Sequence, residues 1–368
     1  MNQQAEATAL RVRNIAWYGL VALAIIGLGG ALWLDSAIVP NAAADVDKVQ
    51  GAGATFPMPI YSKWASKYHE VKGLKLAYQG VGSGAGIAQI KAKTVDFGAS
   101  DVPLKTQELE KDGLLQFPMI VGGVVPVYNL EDVGKGKLKL TPDLLADIYL
   151  GKIKNWSDRR IKAVNGGLRL PDQEITVVHR ADGSGTTWIF TTYLSKVSEE
   201  WKTKIGADKA VPWPTGIGGK GNPEVAALVK KVAGSIGYVE FAYALKDKLK
   251  WALLQNKEGD FVTPTIESFQ KAAENADWEK AEAFNVELID QPGEKTWPIV
   301  GTSFILIHKH QADKEKAAAM LSFFDWCFKN GAGMAKNLHY VPIPEKGHDA
   351  VCSSWKKEVT AGGEPVWK

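Results

Sequence analysis

Residues 180–187 read RADGSGTT, set between a β-branched run at 174–179 (EITVVH) and a segment from Trp188 onward (WIFTTYLSKV) whose apolar spacing suits a helix lying on a sheet. The run is therefore a strand-to-helix turn, the joint from which α/β layers are built. Gly183 and Gly185 let the backbone turn tightly, and Ser184 and Thr186 offer hydroxyls. The first helical amides point outward without intrahelical partners, where the helix dipole favours negative charge. Arg180 adds a permanent cation with a forked donor geometry, and Asp182 stands where it can hold that guanidinium. The same letters also spell an ordinary capped helix after a glycine turn, so the run by itself leaves both readings open.

Two more turns of this kind precede it. Residues 51–57 (GAGATFP) open the amphipathic stretch MPIYSKWASKYHE, with Thr55 near its start and Pro57 in the first turn, where proline is tolerated. Residues 80–86 (GVGSGAG) follow the alternating strand LKLAYQ and carry Ser83 at the turn. Three glycine-rich helix starts, each with a Ser or Thr, point to several helix N-termini aimed at one small anion.

At 368 residues the chain is long enough for two domains, and its balance of 45% hydrophobic to 23% charged residues is that of a globular protein. Lys and Arg number 44 against 41 Asp and Glu, and the signs are interleaved, which argues against nucleic acid as a partner. No repeat of fixed period is present, so a solenoid or propeller is excluded. The N-terminus differs in kind. Residues 15–34 (IAWYGLVALAIIGLGGALWL) carry no charge, follow Arg11 and Arg13, and are long enough to cross a bilayer as a helix. Ala42 and Ala44 fit the small-residue pattern of a cleavage site, so a signal peptide and a retained membrane anchor within residues 1–46 are both open. Either places the remainder outside the cytoplasm, and no cysteine lies near residue 40 to carry a lipid. For the two cysteines, Cys327 and Cys352, a disulfide and a pair of free thiols both fit an exported chain.

Strand-like and helix-like segments alternate from about residue 48 onward, which predicts α/β layers with helices on both faces of the sheets. TVDFGASD ends a strand at Asp101, and GGVVPVYN carries the chain away. Thr141 and Pro142 mark a helix start, and GSIGYVEFAYAL reads as a strand. WPIVGTSFILIH, at 297–308, is the returning strand, followed by the helix KEKAAAMLSFFDWCFKNG. Two crossings imply a discontinuous first lobe, 47–125 with 297–368, a second lobe at 126–296, and an anion cleft between them.

Taken in order, GAGATFP, YQGVGSG, TVDFGASD, IYLGKIKNW, RADGSGTT, GGKGN, GSIGYVE and TSFILIHK closely resemble the periplasmic phosphate-binding proteins of the phosphate-specific ABC transporter, over residues 49–330. The resemblance implies a two-lobed, type II Venus-flytrap α/β protein, a periplasmic monomer without enzymatic activity, cofactor or metal. Such a protein closes over one phosphate ion and delivers it to inner-membrane permease subunits served by a cytoplasmic ATPase. Carried onto this sequence, the family's first-lobe ligands correspond to Thr55, Phe56, Ser83 and Asp101, and its second-lobe ligands to Arg180, Ser184, Gly185 and Thr186. Asp182 corresponds to the ion-pair partner of Arg180, and Asp101 to the carboxylate that accepts a hydrogen bond from a protonated phosphate oxygen.

These residue types suit that task. Amides and hydroxyls in a dry site hold an oxyanion without neutralising it, each hydrogen bond to a charged group contributing about 1.5 to 3 kcal/mol. Phosphate near neutral pH keeps a proton that a carboxylate can accept, whereas sulfate keeps none and meets repulsion. Competing motifs are weaker. Gly80, Gly82 and Ala85 match a dinucleotide fingerprint but lack an acidic ribose partner, and GIGGKG at 216–221 follows Trp213-Pro214 rather than a strand. GGKGN has Gly221 where a Walker motif requires Ser or Thr, and the histidines lack metalloprotease spacing. Two alternatives stay open: an exported phosphoester hydrolase assembled from Ser83, Ser184, His179 and Asp101, and a binding protein for another oxyanion.

Overall fold

The run LLQFPMIVGGVVPVY has almost no polar alternation, and such a run suits a strand covered on both faces. It is buried at every position and forms the spine of the molecule. The computed structural model describes residues 48–274 and 281–368. Its principal sheet has ten strands: β1 (Lys48–Gly53), β2 (Lys75–Gly80), β3 (Phe97–Ser100), β4 (Leu114–Tyr128), β5 (Thr176–Arg180), β6 (Ile217–Gly219), β7 (Ser235–Glu240), β8 (Lys250–Trp251), β9 (Val300–His308) and β10 (Val341–Pro342). They run in the order β2-β1-β3-β9-β4-β7-β5-β6, with β8 and β10 also paired to β4.

The pairing explains how one chain builds two halves. Strands β1, β2 and β3 are parallel, as are β5, β6 and β7, and each set is joined to the middle by antiparallel partners. The first part of β4 pairs with β9, from Leu114↔His308 to Gly123↔Val300, and its last part, Val124 to Tyr128, pairs with β7. The chain thus passes from one half-sheet to the other along β4 and returns along β9.

Helices α1 (Met58–Lys72), α2 (Ser83–Lys91), α3 (Pro142–Tyr149), α4 (Gly185–Val197), α5 (Gly221–Lys231), α6 (Phe241–Lys246), α7 (Lys314–Asn330) and α8 (Glu345–Glu358) cover the sheet. In α1 the buried Ile60, Tyr61, Trp64, Ala65 and Tyr68 recur at helical spacing, and Gly73, at φ 79, ends the helix by donating its N–H to His69 O. Thr141 caps α3, its hydroxyl accepting from Leu144 N.

Two expectations need correction. GSIGYVEFAYAL is not one strand: β7 stops at Glu240, whose carboxylate Oε2 accepts from Ala242 N and starts α6. An apolar run buried on all sides has no periodicity to tell the two states apart. Cys327 and Cys352 are not joined but are free thiols. Cys327 lies buried on the core side of α7, while Cys352 on α8 sits 3.2 Å from His348 Nε2 of its own helix. The apolar run 15–34 and the rest of segment 1–46 lie outside the described residues. Among the described residues no helix is long and apolar enough to cross a membrane.

At the middle of the sheet, three glycines let large side chains reach the strands. A Cβ at Gly122 would lie 2.8 Å from Phe56 Cζ, at Gly123 2.2 Å from Phe269 Cε1, and at Gly301 2.3 Å from Ile189 Cδ1. Gly123→Val should therefore overpack the waist, costing about 1 to 3 kcal/mol and lowering the thermal midpoint by on the order of 5 °C, read by calorimetry.

Candidate anion-binding site

Helices α1, α2, α4 and α5 each start just beyond the C-terminal end of a strand, β1, β2, β5 and β6 respectively. In open α/β sheets that edge is where ligands bind, because helix starts present unpaired amides there. The residues expected at the site are all buried on it: Thr55, Phe56, Ser83, Asp101, Arg180, Ser184 and Thr186 are each 3% exposed or less, and Gly185 is buried beside them.

The structure brings the turns into direct contact. Gly84 N donates to Gly183 O at 2.8 Å, and Gly185 N donates to Ser83 Oγ at 3.0 Å. The same Ser83 Oγ accepts from Asp101 N at 3.2 Å. A Cβ at Gly185 would lie 2.5 Å from Ser83 Oγ and from Asp101 Cβ, so glycine is what allows the approach. Gly82 is required twice over: its φ is 94, and a Cβ there would lie 2.3 Å from Asp182 Oδ2. Ser184 caps α4, its Oγ accepting from Thr187 N.

Backbone carbonyls of the GATFP turn are held from behind by three tyrosines. Tyr78 donates to Ala54 O at 2.6 Å, Tyr243 to Thr55 O at 2.6 Å, and Tyr340 to Phe56 O at 2.7 Å. Burial pushes all three phenols up, so they stay neutral donors. Asn222, at the start of α5, closes the arrangement. Its backbone N and Nδ2 both donate to Thr55 Oγ1, Nδ2 also reaches Thr186 Oγ1 at 3.0 Å, and its Oδ1 accepts from Glu240 N. Sequence reasoning passed over Asn222, Glu240 and the tyrosines. The signal for Asn222 was present in GGKGN, where the closing Asn follows a glycine at a helix start.

Tyr340 has one hydroxyl proton yet lies 2.7 Å from both Phe56 O and Glu240 Oε2. Its hydroxyl is the donor to both acceptors, so one proton is shared between the Phe56 carbonyl and Glu240 Oε2, which also accepts from Ala242 N. Burial pushes the Glu240 carboxyl well above the usual carboxylate range, against the hydrogen bond from Tyr340.

Charge at the site is arranged in two parts. Arg180 makes a forked pair with Asp182, Nε to Oδ1 at 2.7 Å and Nη2 to Oδ2 at 2.6 Å, and Gly221 N adds a third bond to Oδ1. Burial opposes ionisation of Asp182, but the Arg180 hydrogen bonds and charge and the Gly221 amide outweigh it and hold the carboxyl below its ordinary value. Asp101 is the other part. Both its oxygens are buried with no hydrogen-bond partner. Burial pushes it up to about 7, against the pull of the nearby Ser303 hydroxyl, the Arg180 guanidinium and the Ser83 hydroxyl. His179 points elsewhere, its ring stacked on Trp213 at 4.9 Å and its Nδ1 3.1 Å from Arg180 O.

Known proteins share this architecture. The model of the PBP superfamily domain matches residues 39–330. The phosphate-binding protein PstS of Pasteurella multocida is 54% identical over 321 residues, spanning 87% of this chain and 93% of that protein. The chain belongs to the PstS family. PstS of Methanocaldococcus jannaschii is a more distant member, 41% identical over 327 residues, with 81% of this chain and 82% of that protein covered. Among solved structures, a high-affinity periplasmic phosphate-binding protein bound with phosphate superposes with a TM-score of 0.68 at 20% identity, covering 87% of this chain and 97% of that one. An ABC-type phosphate transport receptor from Vibrio cholerae gives 0.53 at 21% identity, covering 80% and 100%. The fold of this PstS-family chain is thus the α/β, two-lobed fold of periplasmic binding proteins.

Asp101 makes stability depend on pH. Its folded value, about 7, exceeds the ordinary value of 3.8, so the folded state binds the proton more tightly. The contribution is fully present below about pH 4 and is lost as pH rises through 7. In phosphate-free buffer, wild type should lose stability relative to Asp101→Asn across that window, measured by urea unfolding at pH 4.5 and pH 8. A difference independent of pH would show that Asp101 titrates normally.

Proposed function

We propose that this chain captures inorganic phosphate between two lobes, 47–125 with 297–368 and 126–296, and delivers it to the membrane permease of an ABC importer driven by a cytoplasmic ATPase. It works outside the cytoplasm, in the periplasm, with residues 15–34 directing export. It acts as a monomeric binding protein and not as an enzyme.

The observation that carries this reading is the buried Asp101 carboxylate, unpartnered at both oxygens, beside the Ser83 hydroxyl and the Gly185 amide and within the field of Arg180. A group in that position is completed by an anion that brings its own proton. Hydrogen phosphate does so, and sulfate does not. Thr55, Ser83, Ser184 and Thr186 supply hydroxyls, Phe56 and Gly185 supply amides, and Arg180, kept in place by Asp182, supplies the cation. The Gly185 amide and Ser83 hydroxyl bond to each other here, so an entering ion replaces that contact as the turns part and close again. The relatives from Pasteurella multocida and Methanocaldococcus jannaschii are phosphate-binding proteins, which agrees with this reading.

The hydrolase alternative requires a base on a serine. Ser83 Oγ and Ser184 Oγ instead accept backbone amides, and His179 is stacked on Trp213.

Isothermal titration with phosphate, arsenate and sulfate at fixed pH and ionic strength tests the proposal. Wild type should bind phosphate and arsenate and prefer phosphate over sulfate by about a hundredfold or more, equivalent to roughly 2.7 kcal/mol. Asp101→Asn should narrow that ratio by improving sulfate binding, and an unchanged ratio would remove Asp101 from the site. Arg180→Ala should weaken phosphate by about tenfold or more, with Arg180→Lys, which keeps the charge but loses the fork, falling between.

A further inference from the structure

Far from the anion site in sequence, three side chains of different chemistry converge where α7 and α8 pack together. Asp325 lies on α7, and His348 and Cys352 lie one turn apart on α8. His348 Nε2 is 3.0 Å from Asp325 Oδ1, Cys352 Sγ is 3.2 Å from the same Nε2, and Sγ is 4.0 Å from Oδ1. Among the described residues this group stands out as three candidate ligand atoms gathered at one point.

A cysteine, a histidine and a carboxylate in contact also suggest a nucleophile with its base. That relay needs the acid on one ring nitrogen and the thiol on the other. Here both meet Nε2, so no relay exists. The triangle instead suits a cation. Zinc bonds to sulfur at about 2.3 Å and to nitrogen and oxygen at about 2.0 to 2.2 Å, so tetrahedral ligands stand roughly 3.3 to 3.7 Å apart. The three observed separations bracket that range, and shifts of a few tenths of an ångström bring each into it.

The surroundings favour the same assignment. His348 and Asp325 side chains are 13% and 15% exposed, sheltered but reachable by an ion from solvent. Lys329 pairs with Asp325 through Oδ2 at 2.8 Å, leaving Oδ1 turned to the triangle, and Phe328 stacks on the imidazole with centroids 4.8 Å apart, fixing the ring. Metal binding displaces the thiol proton, as at other thiolate sites. We propose that Asp325, His348 and Cys352 form a site for a zinc-class divalent ion that joins the C-terminal helix α8 to α7, with a fourth position open to solvent.

The test is a titration of the full chain with cobalt(II), then zinc, in phosphate-free buffer with a non-thiol reductant. Expected are a thiolate-to-cobalt charge-transfer band that saturates at one equivalent, its loss on adding zinc, and a higher thermal midpoint with zinc but not with magnesium. Cys352→Ala should abolish the band, Cys327→Ala should keep it, and His348→Ala should weaken cobalt binding by about tenfold or more. If Cys352→Ala does not fold, Cys352→Ser, which keeps the side-chain size, serves in its place. Absence of a band in wild type at micromolar cobalt, or its survival without the Cys352 thiol, would overturn the assignment.

Discussion

Bringing several helix starts to one buried spot imposes a constraint that the rest of this molecule answers: every carbonyl and amide at those turns has to find a partner away from water. Tyr78, Tyr243 and Tyr340 take the three consecutive carbonyls of residues 54, 55 and 56. These tyrosines come from β2, from α6 and from the segment just before β10, so parts of the chain distant in sequence meet behind one turn. Asn222 performs the same service in front, spanning Thr55 and Thr186 with one amide group. The hydroxyls and amides of the turns are thereby held in fixed orientations, bonded to one another across the turns.

The electrostatics follow from the same dryness. A bare guanidinium buried at the site would be costly, and Asp182 compensates it with two short bonds and an added amide. Asp101 receives no such compensation, and its carboxyl therefore holds a proton far more readily than a solvent-exposed one. Glu240 shows the alternative outcome. It too is buried, but its Oε2 is held internally, by the Tyr340 hydroxyl that also meets the Phe56 carbonyl and by the Ala242 amide. Two acids with the same burial thus differ, one bonded within the fold and one with both oxygens unpartnered.

The glycine-hydroxyl turns were legible because they combine local signals: a β-branched run before, apolar helical spacing after, and glycines between. Residues 180–187 and 80–86 lie where those signals place them, and β4 and β9 were readable as unbroken apolar runs. The supporting residues were not legible. Nothing around Tyr78, Tyr243 or Tyr340 distinguishes them from other core aromatics, because their roles depend on which carbonyl lies opposite, a relation between distant segments. The end of β7 at Glu240 was hidden for a related reason, since FAYA is as suited to a buried helix as to a buried strand. The cluster of Asp325, His348 and Cys352 spans two helices, and only the spacing of His348 and Cys352 is visible along the chain.

The shared strand β4 has a further consequence, for the order in which the protein is made. The half-sheet of β1, β2 and β3 reaches the rest of the structure through β9, whose residues pair back to Leu114 through Gly123. Synthesis must therefore reach Val300–His308 before the first half gains its neighbour, and contacts of such high contact order form slowly. A nascent chain of this topology therefore holds the free edge of β3 open until β9 has been made.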